Sequence, residues 1–527
     1  MTAEIHPVLV AGAWRPARAA SGSFQAVNPA TGEAIESAYP ISSRAEVEDA
    51  VLAGKSAAPA MAGLPPENLA AFLETYAAAI EGRADELVRM AHLETGLAVE
   101  PRLRSVELPR TVFQLRQAAA AVRDRSWRRA TIDTKADIRS IFGPLGGPVV
   151  VFGPNNFPFA YNSIAGTDFA SALAAGNPVI AKAHPCHPGT TRLFADLAFT
   201  ALRSSDLPAA AVQLLYHMAP EDGLALVAHP GVGAAAFTGS RSGGLRLKEA
   251  ADKAGRPMYL EMSSVNPVFL LPGALQERGE AIAAEMFGSC TLGAGQFCTK
   301  PGLLVLPEGA AGEAFIERLR LAFEAAPVQI ILARSVLAGI ESGLAAMTLA
   351  GADILTGGRA PAEPGFRFPD TLLRVSGERF LERPLDLQQE AFGPVLLCVA
   401  ASPAAPYEAI AAALEGNLTA SVFSHSGEGD EALYRALAPI LRTRCGRLLN
   451  DKVPTGVAVT PAMVHGGPFP ATGHPGFTAV GFPAAMMRFA ALHGYDHVRP
   501  HRLPSEIGDA NPTGRMMRFV DGEWTAK

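Results

Sequence analysis

Four apolar runs of strand length, separated by stretches of helical pattern, constrain this 527-residue chain more than any other feature. They are Pro148–Phe152, Asn177–Lys182, Gln213–Tyr216 and Val232–Phe237. Strands apolar on both faces that alternate with helices build a parallel sheet, so the fold class is α/β. A second α/β unit is expected to start near Tyr259, with a helix over Ala281–Met286, a strand over Leu303–Leu306 and a helix over Ala314–Ala325. A hydrophobic content of 49% is enough for two or three cores.

The flanks read differently. Val8–Trp14 and the turn at Asn28–Gly32 suggest a hairpin-rich lead-in, and Ser43 with Glu46 forms a capping-box signature at a helix start. Leu69, Phe72, Leu73, Tyr76 and Ile80 recur at helical spacing, and a further helix is expected over Thr111–Val122. Within residues 127–147, Thr131–Thr134 and Ile138–Phe142 alternate as two short strands. Such a pair either leaves the globule, where exposed edges find a partner subunit, or forms a hairpin of the parent sheet. Met486–Phe489 and residues 490–510 are candidates for a further edge.

Composition removes several classes of function. A net charge of −6 is not that of a nucleic-acid-binding chain. No apolar run approaches the roughly 20 residues of a membrane-spanning helix. The segment Met1–His6 has no basic region leading into an apolar stretch, so no signal peptide is expected. Five cysteines, Cys186, Cys290, Cys298, Cys398 and Cys445, form no CxxC pair. Neither a disulfide framework nor a metal site is expected, and a reducing cytoplasm is the simplest setting.

Three residues stand in settings that suit chemistry. Cys298 lies in Gly295-Gln296-Phe297-Cys298, Glu261 in Leu260-Glu261-Met262-Ser263-Ser264, and Asn156 between two prolines in Pro154-Asn155-Asn156-Phe157-Pro158. A thiol can attack a carbonyl, an amide can hold the resulting oxyanion, and a carboxylate can activate water. Taken singly, the thiol is as well explained as a buried apolar residue and the amide as an Asx turn. Phe237–Gly244 closes a strand and opens a helix on glycines, which suits a phosphate, although GxGxxG is absent and plain punctuation is the alternative. Lys182 ends a strand, at the side of an α/β sheet where ligands bind; a solvated surface lysine is the alternative.

In this order the segments resemble the aldehyde dehydrogenase superfamily, from Asn28-Pro29-Ala30-Thr31-Gly32 to the glycines near Gly466. The resemblance implies that Cys298 is the nucleophile, that Asn156 and the Cys298 main-chain amide form the oxyanion hole, and that Glu261 is the general base for deacylation. It assigns Lys182, Gly239, Ser240 and Gly244 to the cofactor, with Glu390 and Phe392 of Gln389–Pro394 at its nicotinamide end. Phe159, Phe297 and Phe469 are candidate pocket walls. The implied architecture is a Rossmann-like dinucleotide-binding domain (1–126 and 148–258), an α/β catalytic domain (259–484) and a small β oligomerisation element (127–147 and 485–510). A homodimer or homotetramer acting on a small-molecule aldehyde is the corresponding expectation.

Departures from the commonest family pattern narrow the branch. Asn155 stands where many members carry tryptophan, and Ser263-Ser264 replace a glycine pair. No acidic residue lies between Lys182 and Thr191, where many members hold the adenosine ribose diol through a glutamate. A 2′-phosphate is then tolerated, which favours NADP while leaving NAD possible, with His184 or Arg241 as candidates to face it. Glu94–Leu97, Lys182–Thr190, Glu261–Pro267 and His465–Pro470 resemble the branch holding 2,5-dioxovalerate (α-ketoglutarate semialdehyde) dehydrogenases and NADP-dependent fatty aldehyde dehydrogenases. The substrate implied is 2,5-dioxopentanoate, oxidised to 2-oxoglutarate; a long-chain or broad aliphatic aldehyde is the alternative. A basic group opposite Cys298 would favour the first and an apolar tunnel the second. No arginine can be assigned to that role from sequence, and His465 and His474 are the candidates. A cofactor-free thiol hydrolase would use the same three residues but leave Lys182, Gly239–Gly244 and Glu390 unexplained.

Overall fold

The computed structural model describes residues 4–527, and its frame is two seven-stranded sheets with a five-stranded sheet beside them. In the first sheet the four expected strands lie parallel, as Ala234–Thr238, Val149–Phe152, Val179–Lys182 and Val212–Leu215. Most of their side chains are buried on both faces, which is why these runs show no polar alternation. The lead-in hairpin, Val8–Val10 with Ala13–Arg15, joins this sheet through an antiparallel pairing of Leu9 with Leu214.

Met258–Glu261 pairs in parallel with Ala234–Thr238 and forms the far edge of the same sheet. The second α/β unit expected from Tyr259 therefore begins one strand later, at Val268–Leu270. Met258 and Leu260 are buried in the core of the first sheet, and that packing keeps the strand there. The second sheet runs Asp353–Thr356, Thr371–Ser376, Val395–Ala401, Leu303–Pro307, Val268–Leu270, Asn417–Phe423, Cys445–Asn450. All its pairs are parallel except the first.

Helices extend beyond the segments that periodicity marks. Thr111–Val122 lies inside a helix over Leu108–Asp124, and Ala281–Met286 inside one over Pro272–Thr291. Ser43 caps the helix Arg44–Ala62 by accepting the Glu46 N–H at 3.3 Å. The box is not reciprocal, because the buried Glu46 carboxylate accepts the Arg18 N–H at 2.6 Å instead.

Of the two alternatives for residues 127–147, the hairpin of the parent sheet is not the one observed. Thr131–Asp133 and Ile138–Pro144 stand in the third sheet, ordered Ala490–Asp496, Ile138–Pro144, Thr131–Asp133, Arg518–Val520, Glu523–Thr525. That sheet takes in the C-terminal strands as well, beyond the residue 510 at which sequence pattern had ended it.

The two main sheets meet end to end. Asn156, Lys182, Gly239 and Glu261 sit at or just past the carboxyl ends of the first sheet's strands. Cys298, Glu390, Asn417 and Asn266 sit at or just before the amino ends of strands in the second. The cleft between them holds the candidate site.

Candidate active site

Cys298 follows the helix Pro272–Thr291 and a tight turn over Leu292–Gly295. Gly295 has φ +64°, and a Cβ on it would lie 2.3 Å from the Gly393 carbonyl oxygen, so only glycine lets the two segments touch. Lys300 fastens the same contact. Its buried ammonium donates to the Val395 carbonyl at 2.7 Å and to the Ala391 carbonyl at 3.4 Å, tying the thiol's loop to Gln389–Pro394. Gln296 is fixed in turn by the Leu332 N–H, which donates to its Oε1 at 2.8 Å.

Asn266 joins the thiol's loop to the carboxylate's. Its amide donates to the carbonyls of Cys298 at 2.8 Å, Lys300 at 2.9 Å and Ser264 at 3.2 Å. The Asn417 amide oxygen accepts the N–H groups of Val265 and Asn266 at 3.0 and 3.1 Å. Glu261 is thereby set opposite Cys298. His465 bridges them: its Nε2 lies 2.9 Å from Glu261 Oε1 and 3.4 Å from Cys298 Sγ. Burial raises the Cys298 thiol well above its ordinary range, with the Glu261 charge adding to the effect and the Arg110 guanidinium opposing it.

Asn156 is buried, and its amide donates to the Gln296 carbonyl at 2.8 Å, two residues from the thiol. Its loop is held by Glu107, whose carboxylate accepts the N–H groups of Phe159 and Ala160 at 2.9 Å each and pairs with Arg102. One amide N–H of Asn156 stays free for another acceptor.

A cavity of about 750 Å³ opens onto Cys298. Phe157, Phe297, Leu97, Val457 and Met463 give it apolar walls, while Arg110 and Arg447 line it with charge. Arg110 donates to the Tyr161 hydroxyl at 3.1 Å and to the Val457 carbonyl at 3.0 Å. Arg447 donates to carbonyls of Pro454 and Gly456, and burial lowers its pKa from the usual arginine value. Neither forms an ion pair among the described residues. These are the basic groups that sequence could not assign. Arg110 sits within a long helix and Arg447 on a strand, and no motif marks either.

Of the three expected pocket phenylalanines, Phe297 lines the cavity. Phe159 does not. It is fully buried against Phe194, with ring centroids 5.5 Å apart, because the bonds to Glu107 turn it into the first core. Phe469 is 59% exposed and lies under the Arg241 guanidinium, away from the thiol. His474 packs on Tyr259 and also stays clear of Cys298.

On the other side of the cleft, Ser240 caps the helix Arg241–Lys253 by accepting the Gly243 N–H at 3.3 Å, and Gly239 donates to the Glu261 carbonyl at 3.0 Å. A Cβ on Gly244 would lie 3.1 Å from the Met262 sulfur, so glycine lets the helix sit close to the strand end. A second cavity of about 390 Å³ is lined there by Arg241, Ser263, Gln389, Glu390 and Glu415. Burial raises the Glu390 carboxyl to about 7, against the Ser263 hydroxyl that lowers it. Phe392 is half-buried in the same segment. A helix amino end with free N–H groups beside this cleft fits a dinucleotide phosphate. Arg241 is not free to face one: Glu415 holds it at 2.8 and 3.1 Å, a paired acid that spacing does not reveal. Burial lowers Lys182 to about 8, and His184 stacks on His187 at 5.4 Å, its own pKa lowered by burial.

Two seven-stranded α/β sheets, with a thiol, a carboxylate and a cavity beside a helix amino end between them, are the frame of an oxidoreductase. The chain belongs to the aldehyde dehydrogenase family, which it matches over residues 14–438, and it oxidises aldehydes with NAD(P). It is 39% identical over 516 residues to alpha-ketoglutaric semialdehyde dehydrogenase 2 of Azospirillum brasilense, covering 95% of this chain and 96% of that one. Over 477 residues it is 36% identical to the alpha-ketoglutaric semialdehyde dehydrogenase of Acinetobacter baylyi, covering 87% and 88%. The crystal structure of lactaldehyde dehydrogenase from Escherichia coli shares the fold, with a TM-score of 0.78 at 23% identity over 93% of this chain and 98% of that one. Members of the family are generally oligomeric. Among the described residues no helix is long and apolar enough to cross a membrane.

Proposed function

We propose that the chain oxidises an aldehyde bearing a distal carboxylate, 2,5-dioxopentanoate, to 2-oxoglutarate. The observation that carries this reading is the pair Arg110 and Arg447, two guanidiniums on the wall of the thiol's cavity with no carboxylate partner among the described residues. Guanidinium forks match carboxylates, and both guanidiniums are half-buried in the cavity wall without a counter-charge, so an anionic substrate is favoured there. Both named α-ketoglutaric semialdehyde relatives support the same substrate.

Each residue then has a task. Cys298 attacks the aldehyde carbon as its thiol proton passes to Glu261, with which it shares a hydrogen bond, and from there to solvent before deacylation. The free N–H of Asn156 and the Cys298 main-chain N–H hold the oxyanion. When bound, the dinucleotide accepts the hydride. Cys298 is left as a thioester. Glu261 Oε1 is occupied by His465 while Oε2 is buried without a partner, so Oε2 accepts the proton of the attacking water. Ser240, Gly239, Gly244 and Lys182 hold the phosphate and adenosine end, and Glu390 with Phe392 the nicotinamide end.

NADP is the coenzyme of this reading. The charges acting on Lys182, His184 and His217 come from one another, from His187 and from the Cys186 thiol, and the neighbouring Glu94 carboxylate is turned to the Gly189 and Thr190 N–H groups, which leaves a 2′-phosphate room. Five unpaired thiols suit a reducing cytoplasm. The projecting sheet suits assembly into a dimer or tetramer.

Replacing Arg110 or Arg447 by Gln tests the substrate. Loss of one charge-assisted contact, about 2–3 kcal/mol, lowers kcat/KM for 2,5-dioxopentanoate roughly 30- to 160-fold. Pentanal, which has no carboxylate, loses far less, and what it loses in Arg110→Gln is that guanidinium's pull on the Cys298 thiol. Equal losses on both aldehydes, or none on either, would sink the assignment. The apolar wall of Phe157, Phe297, Leu97 and Met463 supports a second reading, a broad aliphatic aldehyde. Higher kcat/KM for long alkanals than for 2,5-dioxopentanoate in the unaltered enzyme would select it.

A further inference from the structure

Glu261, Cys298 and His465 are the one set of three metal-ligating side chains whose donor atoms converge among the described residues, all within 4.8 Å of one another. We propose that this trio is a zinc site, and that Zn²⁺ bound there inhibits aldehyde oxidation reversibly.

Geometry carries the first part. A tetrahedral zinc with Zn–S of about 2.3 Å and Zn–N of about 2.0 Å separates sulfur from nitrogen by about 3.5 Å and nitrogen from oxygen by about 3.3 Å. The corresponding separations here are 3.4 Å for Cys298 Sγ to His465 Nε2 and 2.9 Å for His465 Nε2 to Glu261 Oε1. Small shifts of side chains already in contact accommodate the ion. The same His465 nitrogen lies within reach of both partners, so an ion between them takes that nitrogen in its unprotonated tautomer.

Charge carries the second part. His465 and Glu261 are almost wholly buried. A thiolate and a carboxylate facing each other there repel, whereas Zn²⁺ between a thiolate, a carboxylate and a neutral imidazole makes a complex of zero net charge. The thiol proton leaves to solvent on binding. The cavity at Cys298 leaves the fourth position open to water. The C-x-x-C rule misses such a site because its ligands come from three distant segments. Inhibition rests on Cys298 being the nucleophile; metal binding does not.

The experiment uses the full-length enzyme freed of metal by dialysis against a chelator. Zn²⁺ binding is measured by equilibrium dialysis, and Co²⁺ serves as a spectroscopic stand-in. One equivalent per chain is expected, with a near-ultraviolet thiolate-to-cobalt charge-transfer band that disappears in Cys298→Ser. His465→Phe and Glu261→Gln each weaken Zn²⁺ binding by more than the roughly tenfold that even outer-shell changes cost. Zn²⁺ abolishes coenzyme reduction, competitively with aldehyde, and EDTA restores it. A cobalt complex lacking the thiolate band, or Zn²⁺ affinity unmoved in both His465→Phe and Glu261→Gln, would overturn the site. Stoichiometric binding at full catalytic rate would overturn the inhibition and the role of Cys298 together.

Discussion

Lys182 shows how burial alone writes a pH dependence. Desolvation brings its pKa down to about 8, so the amine is charged below about pH 8 and neutral above it. A charged Lys182 favours the extra phosphate of NADP and does little for NAD. The ratio of kcat/KM for NADP over NAD is therefore expected to be highest below about pH 8 and to fall as pH rises through that value. Lys182→Met flattens the profile; a ratio independent of pH in the unaltered enzyme would refute the role. Cys298, Glu261 and Asn156 stood out in the sequence only through the resemblance of their segments, taken in order, to the family, since taken singly the thiol and the amide read as a buried apolar residue and an Asx turn. Arg110 and Arg447 did not stand out, since their meaning lies in lacking a partner, which no linear pattern displays. His465 was named with His474 as a candidate to stand opposite the thiol, and folding brings His465 alone of the two within 3.4 Å of it. Phe159 and Phe469 misled because an aromatic's position in a motif does not tell which way its loop turns.

At the scale of elements, the strands were easier to find than their neighbours. Continuous apolar runs identified the parallel strands, but Met258–Glu261 belongs to the first sheet for a reason of packing that its own residues do not state. The loops that follow depend on a few side-chain clamps. Asn266 is the strongest of them, since it donates to three carbonyls across both catalytic loops. Asn266→Ala leaves the Cys298 and Lys300 carbonyls without these donors. A destabilisation of roughly 2–4 kcal/mol is expected, read as a lower midpoint in urea, with kcat reduced more than KM is raised. Stability and kcat both within error of the unaltered enzyme would show that the loops hold without it.

For the whole molecule, the five-stranded sheet is the part least concerned with chemistry. Its strand Ala490–Asp496 is an edge, and Leu492 on it is 60% exposed, as is most of the side chain of Trp524 on the opposite edge strand. Open edges carrying large apolar groups are rarely left bare. Leu492→Arg is expected to lower the sedimentation coefficient toward that of a monomer while leaving thermal unfolding cooperative; unchanged sedimentation would place the interface elsewhere. The hairpin at 127–147 was legible from alternation, whereas the C-terminal strands Arg518–Val520 and Glu523–Thr525 were too short to register against their surroundings.

The tie that Lys300 makes between Ala391, Val395 and the thiol's loop has a mechanical outcome. The Cys298 sulfur and the Glu390 carboxylate ride on one rigid platform. If the halves of the molecule part to admit or release a nucleotide, those two groups travel together, and the spacing over which electrons must pass is preserved through the motion.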